Sequence, residues 1–202
     1  MMNATMAFSS RFDKRPVACI AAATAVLLTL SVASPRATTG SQIAIDNFSR
    51  VDANYYRGSQ PSGHDYTDLS ALGVKTVIDL TSDDGQVDEI RLVSAAGMKY
   101  FHIPMTTHVA PTTTQVGQFL AIVNEPRNQP VYVHCVGGSH RTGVMTAVYR
   151  MIKDQWSADR AFAEMKTFKF GPDFLHSEFK RFVLGFRLEP SVAASATTKA
   201  GS

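Results

Sequence analysis

Apolar positions along this chain follow two rhythms. Residues 74–80, 99–103 and 131–133 are short runs rich in β-branched and aromatic side chains, which predicts strands, and residues 54–61 predict another, ended by Gly58 and Pro61. Elsewhere the spacing is helical. Val116, Phe119, Leu120 and Val123 share one face of a helix predicted over 112–124, and shorter helices are expected over 65–72 and 87–96, stopped by Gly73 and Gly97. Beyond Pro126 and Pro130, which bracket a turn, come the 131–133 strand and three helices, over 141–153, 157–168 and 173–188, the second with Ser157 as its cap. Strands alternating with helices predict an α/β fold: a mostly parallel sheet of four to five strands, flanked by helices, with functional groups at the carboxyl ends of the strands.

Composition adds few constraints. The 202 residues, 45% of them apolar, suffice for one domain, and no internal repeat is present. The formal charge of +3 is set at the N-terminus: without Arg11, Asp13, Lys14 and Arg15, 17 basic and 16 acidic residues remain. No basic stripe is left to track a phosphate backbone, so nucleic acid is excluded as a partner. Basic residues up to Arg15, an apolar stretch over 17–32 and small residues over 31–33 follow the order of a secretory signal cleaved after Ala33. An uncleaved anchor is the alternative, but the apolar run falls short of the roughly 20 residues a membrane span needs. The expected organisation is a signal over 1–33, a flexible lead-in over 34–42, a folded domain over 43–188 and a disordered tail over 189–202. The mature protein is expected to be a periplasmic or secreted monomer, not inserted in a membrane. Cleavage would remove Cys19 and leave Cys135 as the lone cysteine, either a buried structural thiol or a catalytic one.

The surroundings of Cys135 favour catalysis. The strand ends in His134 and Cys135, followed by Val136, Gly137, Gly138, Ser139, His140, Arg141 and Thr142, and then an apolar helix. Unpaired amides and the helix dipole make such a junction an anion site. Gly137 and Gly138 let the backbone curl so that the amides of residues 136–141 converge, and Arg141 offers a planar fork that matches two phosphate oxygens. A helix N-terminus beside an arginine favours the thiolate form of a cysteine, the form able to attack phosphorus.

The full pattern His-Cys-x-x-Gly-x-x-Arg-Thr-Gly, from His134 to Gly143, resembles the phosphate loop of the cysteine-based protein tyrosine and dual-specificity phosphatases. Residues 56–61, 77–80 and 158–165 resemble the matching parts of compact bacterial dual-specificity-like phosphatases. The resemblance implies hydrolysis of phosphomonoesters through a phosphocysteine, without metal or other cofactor, on a phosphorylated protein or small phosphomonoester. It also implies that Thr142 donates to the Cys135 sulfur, while His134 is expected to orient the loop through backbone contacts.

One part of the family pattern is missing. The usual general-acid aspartate lies about thirty residues before the cysteine, yet residues 103–111 contain no acidic side chain. Asp83 and Asp84, which follow the strand over 77–80, and the histidines His108 and His140 are the candidate replacements, and a weak acid or water serving a phenol leaving group is the remaining alternative. The variable loop positions hold Val136 and Ser139 rather than lysine, which favours phosphotyrosine-like substrates, with phosphoserine or phosphothreonine next, over inositol phosphates or phosphoinositides. Arg57 is either an added positive charge near the site or an ion-pair partner for the N-terminal segment. A catalytically impaired phosphate- or phosphoprotein-binding module is the competing reading, although such a module needs no cysteine. A cysteine protease would leave Arg141 unexplained.

Overall fold

The computed structural model describes residues 43–82 and 85–187. The expected signal, lead-in and tail, and the candidate acids Asp83 and Asp84, lie outside the described residues. Strands β1 (Ser49–Arg50), β2 (Tyr55–Ser59), β3 (Thr76–Asp79), β4 (Lys99–His102) and β5 (Val131–Cys135) form one sheet in the order β1-β2-β5-β3-β4. β2, β5, β3 and β4 run parallel, and only β1 is antiparallel, to β2. The predicted α/β class and mostly parallel sheet are therefore observed.

The central strand explains its own composition. β5 is buried along its whole length between β2 and β3, so apart from His134 both of its faces are apolar and no polar alternation marks it. Val131, Val133 and Cys135 pack with Phe119, Leu120, Met145 and Val148 on one face. Tyr132 packs with Tyr66, Leu69 and Val93 on the other. Helices α1 (Asp65–Ala71) and α2 (Glu89–Ala95) supply the second face, and α3 (Thr113–Val123) and α4 (Arg141–Lys153) the first. Each fully buried Val contributes roughly 1.5–3 kcal/mol.

Helix ends follow local chemistry. Thr112 and Gln115 form a reciprocal capping box on α3, Ser157 caps α5 (Ala158–Thr167) by accepting from the Arg160 amide, and Gly73 and Gly97 end α1 and α2 at positive φ. Two departures stand out. β1 is a two-residue strand of polar residues with no periodic signal. The last helix, α6 (Ser177–Gly185), starts four residues later than the expected 173, because the Asp173 carboxylate accepts from Lys166 and Lys180 while the chain turns at Pro172–Leu175. No helix among the described residues is long and apolar enough to cross a membrane.

Candidate active site

Cys135 ends β5 and Arg141 begins α4, so the intervening turn is held at both ends by buried structure. His140 is the N-cap of the 13-residue α4 and makes no side-chain capping bond, which leaves the first-turn amides available to an anion. The turn carbonyls are drawn outward by three donors. Val136 O accepts from the Gln60 amide at 3.1 Å, Gly137 O from Asn47 Nδ2 at 2.7 Å, and Gly138 O from Arg57 Nη2 at 2.7 Å. Across a trans peptide the next N–H points the opposite way, so the amides of Gly137, Gly138 and Ser139 face the concave side. Gly138 has φ +66°, and a Cβ there would lie 2.5 Å from the carbonyl carbon and oxygen of Gly58. Only glycine fits at that point.

Two guanidinium groups flank this cradle. Arg141 is 2% exposed and donates through Nη1 to the Met105 carbonyl at 3.0 Å, which ties the phosphate loop to the segment after β4. Arg57 is fully buried, stacks 3.9 Å above the Phe168 ring, and has no hydrogen-bond partner for Nε or Nη1. Burial pulls its pKa down, against the opposing pull of Tyr55, Glu164 and Cys135. Arg57 is thus a buried cation behind the loop, where ion pairing with the N-terminal segment had been the alternative. Asn47 was not foreseen; its φ of 54° is a backbone conformation asparagine tolerates, and from there it also reaches Ser139 Oγ at 3.1 Å.

Of two expected contacts, one is not made and the other is present with more beside it. The Thr142 hydroxyl is buried without a hydrogen-bond partner and does not donate to the Cys135 sulfur, while the Thr142 carbonyl accepts from Thr146 Oγ1 at 2.8 Å. His134 acts through more than its backbone. Its carbonyl accepts from Leu80, and its ring is buried 3.0 Å from Glu89 Oε1 and 4.0 Å from Asp79 Oδ1. These are close approaches rather than aligned hydrogen bonds. Burial alone would raise the Asp79 carboxyl, but His134 and hydrogen bonds from Thr81 and Tyr100 outweigh it and hold the group below the usual carboxylate range.

Residues 33–181 match the family described as DSP-PTPase phosphatase fused to NAD+ kinase. The chain belongs to this phosphatase family. It is 28% identical over 130 residues to the inositol diphosphatase SIW14 of Saccharomyces cerevisiae, spanning 62% of this chain and 46% of that protein. It is 27% identical over 144 residues to the dual specificity protein phosphatase TpbA of Pseudomonas aeruginosa, spanning 70% of this chain and 64% of that one. The chain therefore spans about half to two thirds of the length of these relatives. The Siw14 catalytic core superimposes with a TM-score of 0.66 at 24% identity, covering 75% of this chain and 90% of that chain. The P. aeruginosa TpbA crystal structure gives 0.61 at 25% identity, covering 75% and 89%.

Within this DSP-PTPase fold the two histidine candidates gather on one side of the phosphate loop. His140 Nε2 lies 3.0 Å from the Phe170 carbonyl, and burial, followed by the neighbouring charges of His176 and Arg141, holds its pKa below the ordinary histidine value. His108 is exposed and stacks on His176 with centroids 5.3 Å apart, and His176 in turn lies 3.6 Å from the His140 ring. His176, the N-cap of α6, was not singled out from its sequence, because no motif surrounds it. Val136 is 45% exposed beside the loop, and Ser139 is buried against Asn47.

Proposed function

We propose that this chain is a phosphomonoesterase acting through a phosphocysteine. The observation that carries the reading is the set of turn carbonyls drawn outward by Gln60, Asn47 and Arg57, which presents amides and Arg141 to a phosphoryl group above Cys135. The Cys135 thiolate attacks phosphorus as the P–O bond to the leaving group breaks, and the departing oxygen takes a proton from a general acid. Water then attacks the phosphocysteine, releasing inorganic phosphate and regenerating the thiolate. Amides and guanidinium held in place before the reaction stabilise the charge on the equatorial oxygens in both steps. Preorganisation by Asn47 and Arg57 supports this role.

The substrate class follows from the rim. The loop offers no lysine for further phosphates, and Val136 gives an exposed apolar surface beside it, which suits an aryl ester such as phosphotyrosine. A cysteine-to-serine form of TpbA is recorded in complex with phosphotyrosine. The yeast relative is an inositol diphosphatase, which keeps an inositol diphosphate as the second reading. Export remains part of the proposal, with N-terminal sequencing of secreted or periplasmic protein expected to begin after Ala33.

Incubation with an aryl phosphate, with and without Cys135→Ser, tests the activity: the variant is expected to lose at least about 1,000-fold in rate. Equal turnover would sink the phosphatase reading. The proton donor is sought among Asp83, Asp84, His108 and His140. Replacing it should slow alkyl phosphates far more than activated aryl phosphates, a positioned acid being worth about 100- to 10,000-fold. Parallel assays on phosphotyrosine peptide and an inositol diphosphate decide the substrate class.

A further inference from the structure

We propose that His108, His176 and Glu178 form a site for a divalent transition metal of the zinc class, fastening the segment after Met105 to the start of α6 beside the phosphate loop. Each side chain offers one ligand atom, and these atoms lie within 4.8 Å of one another. An ion with ligand distances of about 2.0–2.2 Å bridges donors about 4 Å apart, so a small side-chain rotation completes the set. His108 is exposed and has room to rotate.

His176 is already fixed, and Glu178 is half-buried next to it. His176 Nδ1 lies 3.1 Å from the Thr107 carbonyl, and its ring stacks on Phe179 with centroids 5.9 Å apart and is pressed against His140. A backbone carbonyl on one ring nitrogen is the outer-shell support that metal-binding histidines use. Glu178 gives an independent indication. Its Oε1 is buried without a hydrogen-bond donor, 3.5 Å from His176 Nδ1. A buried carboxylate oxygen left in that state is costly, and a cation relieves the cost. Two imidazoles and one carboxylate, with further positions open to water, suit zinc.

The second cluster of this kind, Asp79, Glu89 and His134, does not compete. All three residues are buried, and the Asp79 oxygens already accept from Thr81 and Tyr100. An ion at His108 and His176 would hold the Thr107 carbonyl in place, two residues from the Met105 carbonyl that positions Arg141. It would also occupy His108, a candidate proton donor. An effect on turnover rests on the phosphatase reading; metal binding does not.

Calorimetric titration of zinc chloride into the full chain carrying Cys135→Ser, which removes the competing active-site thiol, is expected to give saturable binding. Adding His108→Ala or His176→Ala should weaken that binding at least tenfold. His108 is exposed, so its replacement leaves the fold intact, and circular dichroism checks each variant. No binding by the Cys135→Ser chain, or unchanged affinity after His108→Ala, overturns the proposal. These outcomes are read without any substrate, so a chain that fails to hydrolyse phosphate esters still decides the metal site.

Discussion

Arg57 and Gly138 meet at one carbonyl, and each can be replaced to test the cradle. Lysine at 57 keeps the charge but not the planar donor that reaches Gly138 O while stacking on Phe168. Arg57→Lys is expected to lower kcat/KM at least tenfold and stability by about 1–3 kcal/mol, read by steady-state kinetics and urea unfolding. Wild-type kinetics would mean that the guanidinium does not hold the loop. In Gly138→Ala the added methyl meets Gly58 backbone at a left-handed φ, at a conformational cost of about 1–3 kcal/mol before any displacement from β2. Aryl phosphate turnover should fall by about 100-fold while far-ultraviolet circular dichroism stays unchanged, since oxyanion-type donors are worth about that much. The residues from Cys135 to Arg141 were legible because they are contiguous and their chemistry is local. The supports were not: Asn47 and Arg57 reach the loop from 90 and 81 positions away. Arg57 did leave a trace, as a charge within the otherwise uncharged strand Tyr55–Ser59. Glu89 and His176 left none.

Helix α3 shows how an element far from the cysteine in sequence positions Arg141. Gln115 accepts from the Thr112 amide to close the capping box, and its Nε2 donates to the Pro104 carbonyl at 2.6 Å, one residue before the carbonyl that receives Arg141. Gln115→Ala should cost about 1 kcal/mol of stability, as cap losses do, and lower kcat/KM severalfold. Thr112→Ala should cost a similar amount of stability with little kinetic effect. Equal kinetic losses in the two variants would count against Gln115 as the link between helix and site. The elements with strong periodicity, β3, β5, α3 and α4, were readable because burial of one or both faces dictates every apolar position. β1 was unreadable because two polar residues pair by backbone alone, and the start of α6 was misplaced because Asp173 binds lysine side chains instead of capping the helix.

At the scale of the whole molecule, the polar network behind the sheet ties β3, β5 and α2 together and gives stability a definite pH dependence. Asp79 on β3 accepts from Thr81 and Tyr100, His134 on β5 lies between Asp79 and Glu89, and Glu89 on α2 accepts from Tyr66. His102 also approaches Asp79, at 3.9 Å. Because the folded Asp79 carboxyl lies below its ordinary value, the unfolded chain binds this proton first as the solution is acidified. Its contribution is therefore complete above the unfolded value of about 3.9 and is lost as pH falls through the lower folded value. Asp79→Asn removes that term and weakens the charge-assisted hydrogen bonds from Thr81 and Tyr100, which should cost about 1.5–3 kcal/mol near neutral pH, since hydrogen bonds to a charged group are worth about that much. Urea unfolding between pH 2.5 and 6 checks both parts. The wild type should lose stability more steeply than the variant below about pH 4, so the gap between them narrows on acidification. Parallel curves, with the gap unchanged down to the lowest pH, would show that Asp79 carries no such linkage and that the network is held by packing alone.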